Sequence, residues 1–312
     1  MRKNIAKRIK GFCLLLLATV LYSPLFAQIV GSIDTLQMPL CNNLEPRTVY
    51  VWKPSNYKAN KPHDVLYMHD GQMLFDGLST WNKKEWRVDE TLDSLSRLNL
   101  IKPCIVVGIC NVNGYRYGDY FPQDVFEKLP KDVQDSLKAF QNTQACVSND
   151  YLKCIVEQLI PQIEKLYKTS GNNAVGGASM GGLISWYAAV KYPEVFNSAL
   201  CMSTHWPGGN PMKVDSTVFT GFKQYLQQNL KRLAFTDSTS ELNGQRFYFD
   251  CGTATLDAYY PPLQKQIDKV FYNANYDLMH YWSVYDEGAE HDEVAWSKRF
   301  ALAMMYLWPK FE

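Results

Sequence analysis

Beyond residue 27 no stretch of this sequence concentrates lysine and arginine. A protein that grips a nucleic-acid backbone presents a basic face, so nucleic acid is not an expected partner. Nor does any apolar run reach the ~18 to 20 uncharged residues that crossing a bilayer requires, so no stable membrane insertion is expected. Histidine is scarce, five in all, and no histidine or cysteine pair has a ligand spacing such as C-x-x-C. Metal and cofactor are therefore both expected to be absent. The glycine-rich stretch 176–182 lacks the Lys-Ser/Thr end of a phosphate loop, and it lacks the G-x-G-x-x-G spacing of a dinucleotide turn. No internal repeat or low-complexity tract is evident.

The start of the chain is of another kind. Arg2, Lys3, Lys7, Arg8 and Lys10 precede a mostly apolar run from Phe12 to Tyr22, with Ser23-Pro24 before Ala27. This reads as a secretory signal over 1–27, too short for an anchor, and it predicts a periplasmic or secreted protein. Its removal leaves 27 basic against 31 acidic residues, a net charge of −4. Residues 28–312 then suit one α/β domain. Seven cysteines remain after Cys13 is lost, an odd number that cannot all pair. Export permits a disulfide, with Cys146 and Cys154 the first candidates, whereas Cys110, Cys201 and Cys251 fall in apolar strand patterns as small buried hydrophobes.

Gly177-Ala178-Ser179-Met180-Gly181 lies between an apolar run, Asn173-Ala174-Val175, and the helical pattern of residues 183–190. In a G-x-S-x-G turn from strand to helix the serine is strained and its hydroxyl exposed, and the flanking glycines let strand and helix approach. The helix start aims free N–H groups at the charge that forms when serine attacks a carbonyl. The competing reading is a tight turn with an inert serine. What favours the elbow is the rest of the chain, because strands recur at 33–40, 47–53, 63–68, 103–110, 197–203, 245–250 and 281–285. Between them lie helical patterns at 81–98, 150–168 with a kink at Pro161, 219–230, 257–272 and 294–308. Such alternation implies a largely parallel sheet with helices on both faces. Residues 123–148 and 208–243 are candidate lid insertions.

An elbow of this kind is followed in the chain by an acid and then a histidine. His63 and His69 come too early, His205 precedes every acid at a later strand end, and His280 leads into the last strand. His291, after Gly288 in the exit loop of that strand, is the expected general base. Its acid is Asp257 or Asp250; Asp257 is preferred because a loop carboxylate is free to reach the imidazole. The strand ending in His69-Asp70-Gly71-Gln72 supplies the second oxyanion donor, the backbone N–H of Gln72, beside that of Met180. Asp70 is expected to orient this loop.

Together these segments resemble the esterase D or "putative esterase" branch of the α/β-hydrolases, which includes feruloyl and acetyl xylan esterases, enterochelin esterases, S-formylglutathione hydrolase and mycolyltransferases. The resemblance runs from about Thr48 to the end. It rests on residues 67–72 as the oxyanion strand and loop, Arg116 to Pro122 as the R-x-x-E/D-Y-x-P segment, 177–182 as G-x-S-M-G-G, Cys251-Gly252-Thr253 as the turn before the acid, and Gly288 to His291 as the histidine loop. Thr255 and Leu256 stand where the family often has its carboxylate. The resemblance implies an α/β-hydrolase fold and a serine carboxylesterase. Trp206 and Trp81 can stack on sugar or aryl rings, which suits an acetyl or feruloyl ester on a polysaccharide or oligosaccharide. A siderophore trilactone is the alternative substrate, with Arg116 the visible cation for an anionic ligand. A catalytically inactive carbohydrate-binding protein of the same fold is the alternative outside enzymology.

Overall fold

The computed structural model describes residues 29–41, 44–143, 145–234 and 245–310. The predicted leader and the far part of the 208–243 insertion lie outside them. Eight strands form one sheet: β1 (Ser32–Gln37), β2 (Thr48–Lys53), β3 (His63–His69), β4 (Cys104–Ile109), β5 (Thr169–Ala178), β6 (Ser198–Met202), β7 (Arg246–Gly252) and β8 (Tyr281–Asp286). Their order is β1-β2-β4-β3-β5-β6-β7-β8. The β1–β2 and β2–β4 pairs are antiparallel, and the rest of the sheet is parallel.

The reason is legible in β3. Val65 and Tyr67 enter the core on one face while Leu66 and Met68 enter the core on the other, as the period of two in a strand requires. A strand buried on both faces needs a helical cover on each side. Helices α1 (Val88–Arg97), α2 (Arg116–Tyr120), α3 (Gln123–Phe126), α4 (Lys131–Gln141), α5 (Ser148–Cys154), α6 (Ile160–Leu166), α7 (Met180–Lys191), α8 (Ser216–Ala234), α9 (Pro261–Asn273) and α10 (Glu293–Leu307) supply it. On one face α1 and α10 pack together, and Trp86, just ahead of α1, lies against Trp296 and Phe300. Most of the remainder lie on the other, around α7. Every residue of α7 from Met180 to Val190 is buried, so the helix that follows the predicted elbow is the centre of that core.

Three local readings change in the structure. The helix predicted over 81–98 begins only at Val88, because Arg87 takes a left-handed conformation, φ 53. The helical stretch around Pro161 is divided by a π-helical turn, Ile155–Leu159, ahead of the proline; a wider turn accommodates the missing N–H. The described parts of the candidate lids pack as helices: Val125, Phe126 and Leu137 from α3 and α4, and Val218, Phe222 and Leu226 from α8, are all buried.

Cys146 and Cys154 are not paired. Cys154 forms a disulfide with Cys41, Cα–Cα 6.0 Å. Cys146 is free, its Sγ against the Phe121 carbonyl at 3.1 Å. Two turns of α5 carry Cys154 toward the segment after β1 and away from Cys146. Cys104, Cys110, Cys201 and Cys251 are free and buried.

The Cys41–Cys154 bond closes a sequence separation of 113 residues. Cys41→Ser with Cys154→Ser is therefore expected to lower unfolding free energy by about 2–5 kcal/mol, read as a urea midpoint that falls in the double variant and no longer responds to reductant.

Candidate active site

Ser179 stands between β5 and α7 with φ 57 and ψ −120, a region that costs a non-glycine residue on the order of 1–3 kcal/mol. Its surroundings hold it there. The Ser179 N–H donates to the Met202 carbonyl at 3.0 Å, and its own carbonyl accepts from Leu183 N–H at 3.0 Å and His205 N–H at 3.1 Å. Any Cβ on Gly177 would stand 2.9 Å from the Gly181 carbonyl carbon, so strand and helix touch where side chains are missing. The hydroxyl is thereby lifted to the carboxyl end of the parallel strands, where ligands gather in open α/β sheets.

The loops after β7 and β8 are clasped to each other. Thr253 and Ala254 donate their N–H groups to the Ala289 carbonyl at 3.2 and 3.0 Å. Gly288 N–H reaches Thr253 Oγ1 at 2.8 Å and His291 N–H reaches Thr255 Oγ1 at 2.9 Å. Gly252 is required for this approach, since a Cβ there would fall on the Ala289 carbonyl. The clasp brings Asp257 Oδ1 to 2.6 Å from His291 Nδ1. Asp257 is fully buried, and its Oδ2 accepts from Ser203 Oγ and Gly252 N–H, both at 2.6 Å. A carboxylate only accepts, so Nδ1 is the donor and Nε2 carries the lone pair. Asp250, the other candidate acid, faces elsewhere: it holds Arg299 at 2.9 and 3.2 Å. The remaining histidines have other partners: His63 the Lys58 and Pro103 carbonyls, His69 the Tyr151 hydroxyl, His280 Asp277.

His205, set aside as the base, and Tyr260 also join the site. His205 Nε2 lies 2.9 Å from the Gly209 carbonyl, which can only accept, so Nδ1 is bare and receives the Tyr260 hydroxyl at 2.7 Å. That hydroxyl neighbours Ser179, and the Tyr260 ring meets His291 edge-on at 5.5 Å. Tyr260 thus ties the serine to the histidine loop. Trp296 closes the far side of the imidazole at 5.0 Å. Neither Tyr260 nor His205 stands in a recognisable pattern. Arg299 did carry a signal, as a lone charge on an α10 face formed by Trp296, Phe300 and Ala303.

Gln72 lies in a short turn, Gly71–Met73, entered through Asp70 at φ 58. Arg116 grips Asp70 with two bonds, 2.8 and 2.7 Å, and Asn111 adds a third at 2.6 Å. Burial alone would raise the Asp70 carboxyl, but Arg116 and these bonds outweigh it and hold it below the usual range. Asp70 and His69 abut Gly181, which brings the Gln72 turn against the start of α7 and Met180. Arg116 therefore serves this loop, with its guanidinium already engaged.

The two tryptophans separate. Trp206 is fully buried, stacked between Trp186 and Phe249 at 5.9 and 5.7 Å, with Nε1 on Gln264 at 2.7 Å. It is a core residue and cannot stack on a substrate, contrary to expectation: the chain after β6 turns inward under α8. Trp81 is 84% exposed. Its neighbours Asn82 and Lys84 bind Glu293 and Asp292, at 2.8 and 2.6 Å, next to His291. Among the described residues no three His, Cys, Asp or Glu side chains gather as a metal site, and no helix is long and apolar enough to cross a membrane.

The family model described as "Putative esterase" matches residues 44–307. No curated protein matches the chain by sequence. Among solved structures, an IroE-like serine hydrolase from Shewanella oneidensis superposes with a TM-score of 0.61 at 17% identity, covering 88% of this chain and 79% of that one. A ferulic acid esterase gives 0.60 at 16%, covering 89% and 98%. The ferric enterobactin esterase of Salmonella typhimurium gives 0.60 at 17%, covering 90% of this chain but 59% of its own. At such identities the likeness is one of fold.

Gly252→Ala is expected to part the two loops, lowering kcat for an aryl ester by about 100-fold, while a Gly77→Ala control, whose added carbon meets nothing closer than 3.5 Å, loses less; equal losses would contradict the clasp. Burial pushes His69 down to about 3 and His205 down to about 4. In the unfolded chain both titrate near ~6.5, so between ~6.5 and their folded values the unfolded state binds more protons and stability is lost as pH falls. The urea midpoint should drop from pH 7 to pH 5, and by less in His205→Gln.

Proposed function

Because this chain belongs to the esterase family whose model it matches, we propose that it hydrolyses a carboxylic ester through an acyl-enzyme on Ser179, with His291 as general base and Asp257 as its acid partner. The observation that carries this reading is the 2.6 Å bond from His291 to a fully buried Asp257, in a loop joined through Tyr260 to a strained serine. In the first step Ser179 Oγ attacks the ester carbonyl and its proton passes to His291 Nε2. The N–H groups of Gln72 and Met180 receive the oxyanion, each such donor typically worth ~3 to 4 kcal/mol. His291 then gives the proton to the departing alcohol. Water, activated by the same nitrogen, releases the acid.

For the substrate we favour an acetyl or feruloyl ester on a saccharide. The support is Trp81, a large exposed ring on the loop bound to Asp292 and Glu293, beside the general base; an exposed indole face suits a sugar or aryl ring. A siderophore trilactone finds less support, because Arg116, the cation proposed for it, is already gripped by Asp70. Export is part of the same proposal. It rests on the basic and apolar character of residues 1–27 and is supported by the Cys41–Cys154 disulfide, a bond that persists in oxidising compartments.

Ser179→Ala is expected to lose about 10⁴-fold or more in kcat on an aryl acetate with its fold intact by circular dichroism; retained turnover would reject the assignment. On acetylated xylan, feruloylated arabinose and a catechol trilactone, the mature protein is expected to release acid from one of the first two, and Trp81→Ala to raise KM there while sparing a small aryl acetate.

A further inference from the structure

Ser203 follows β6 directly and holds a left-handed conformation, φ 40. Its hydroxyl has one proton and two lone pairs. Trp296 Nε1–H reaches the oxygen at 3.0 Å and Arg299 Nη2–H at 3.1 Å. Indole and guanidinium can only donate, so both lone pairs are taken. The single proton has one destination, Asp257 Oδ2 at 2.6 Å. The backbone is fixed as firmly, since Ser203 N–H donates to Asp250 Oδ1 at 3.0 Å while Asp250 holds Arg299.

We propose that Ser203 is the positioning residue of the triad, an obligate donor that carries the charge of Arg299 to the second oxygen of Asp257 and so sets the orientation and proton affinity of the Asp257–His291 pair. The proposal deepens the esterase reading and rests on it. A carboxyl group turns readily about its last torsion; two donors on Oδ2, Ser203 and Gly252 N–H, direct Oδ1 at His291. Without the hydroxyl a single amide remains, and a carboxylate with fewer donors attracts the imidazole proton more strongly. An imidazolium so held forms at higher pH and hands its proton on less readily.

The other groups facing the pair do not mimic this effect. Burial pushes His205 down to about 4 and raises the Cys251 thiol and the Tyr260 hydroxyl well above their ordinary values. Arg299 stays charged between Asp250 and Asp286, and burial raises the Asp250 carboxyl against its pull. On the histidine's own loop Asp292 is answered by Lys84 and Glu293 by Asn82, with Glu290 beside them.

The test compares full-length wild type, Ser203→Ala and Ser203→Gly on an aryl acetate across pH, with thermal unfolding of each. Glycine removes the hydroxyl and relieves the left-handed strain, whereas alanine removes the hydroxyl and keeps it, so the two differ in stability. The expected result is that both lose roughly 10- to 100-fold in kcat with little change in KM, and that in both the acidic limb of kcat/KM moves up by ~0.5 pH unit. Should alanine not fold, glycine alone reads the limb. An unmoved limb in a folded variant, with activity still dependent on Ser179, overturns this proposal alone. Rates that follow stability reduce Ser203 to a structural role and overturn it as well. Activity that survives Ser179→Ala removes the esterase reading and the proposal with it.

Discussion

The molecule depends on a backbone conformation that its own chain disfavours. At φ 57 and ψ −120 Ser179 is held by three main-chain hydrogen bonds, two of them to β6 and the loop that follows it. Behind it α7 is buried along its whole inner length, with Trp186, Leu183 and Ile184 fully enclosed. Each such side chain contributes on the order of 1.5–3 kcal/mol on burial, so a few of them outweigh the strain of one residue. The consequence is a serine held at the carboxyl end of the parallel strands, where α7 begins, in a conformation an ordinary turn does not adopt.

A second constraint comes from charge. Asp257 is buried without a cation in direct contact, and an isolated buried carboxylate is costly unless hydrogen-bonded. It is answered by donors alone: an imidazole, a serine hydroxyl and a glycine amide. The nearest full positive charge, Arg299, is one hydroxyl away and compensates Asp250 directly. Two carboxylates that the sequence leaves as alternatives are thus members of one network, one holding the cation and the other the histidine. Neutrality is shared across the group instead of being met pair by pair, and the bare nitrogen of His291 is what that arrangement leaves available.

Much of the fold was legible because it is periodic. The continuous apolar runs of β3 and β4, the unbroken apolar pattern of the elbow helix and the strand-helix rhythm report burial directly. The elbow was legible because Gly177 stands where close approach demands glycine, and the histidine loop because Gly288 stands at a positive φ, 79. What escaped is what periodicity cannot encode. Trp206 reads like any aromatic after a strand, and only the inward path of residues 204–209 makes it core. The partner of Cys154 lies 113 residues away in the chain, a distance over which spacing carries no information. Tyr260 and His205 meet across a separation of 55 residues, and the Ser203 proton inventory depends on donors from α10.

The proposed mechanism requires that Ser179, His291 and the amides of Gln72 and Met180 converge on one ester carbonyl. A crystal structure of the protein inhibited by an aryl phosphonate measures that directly. Phosphorus is expected bonded to Ser179 Oγ, with a phosphoryl oxygen within hydrogen-bond reach of both amides and His291 Nε2 on the side from which the leaving group departed. Phosphorus on another side chain, or a phosphoryl oxygen turned away from the start of α7, would contradict it.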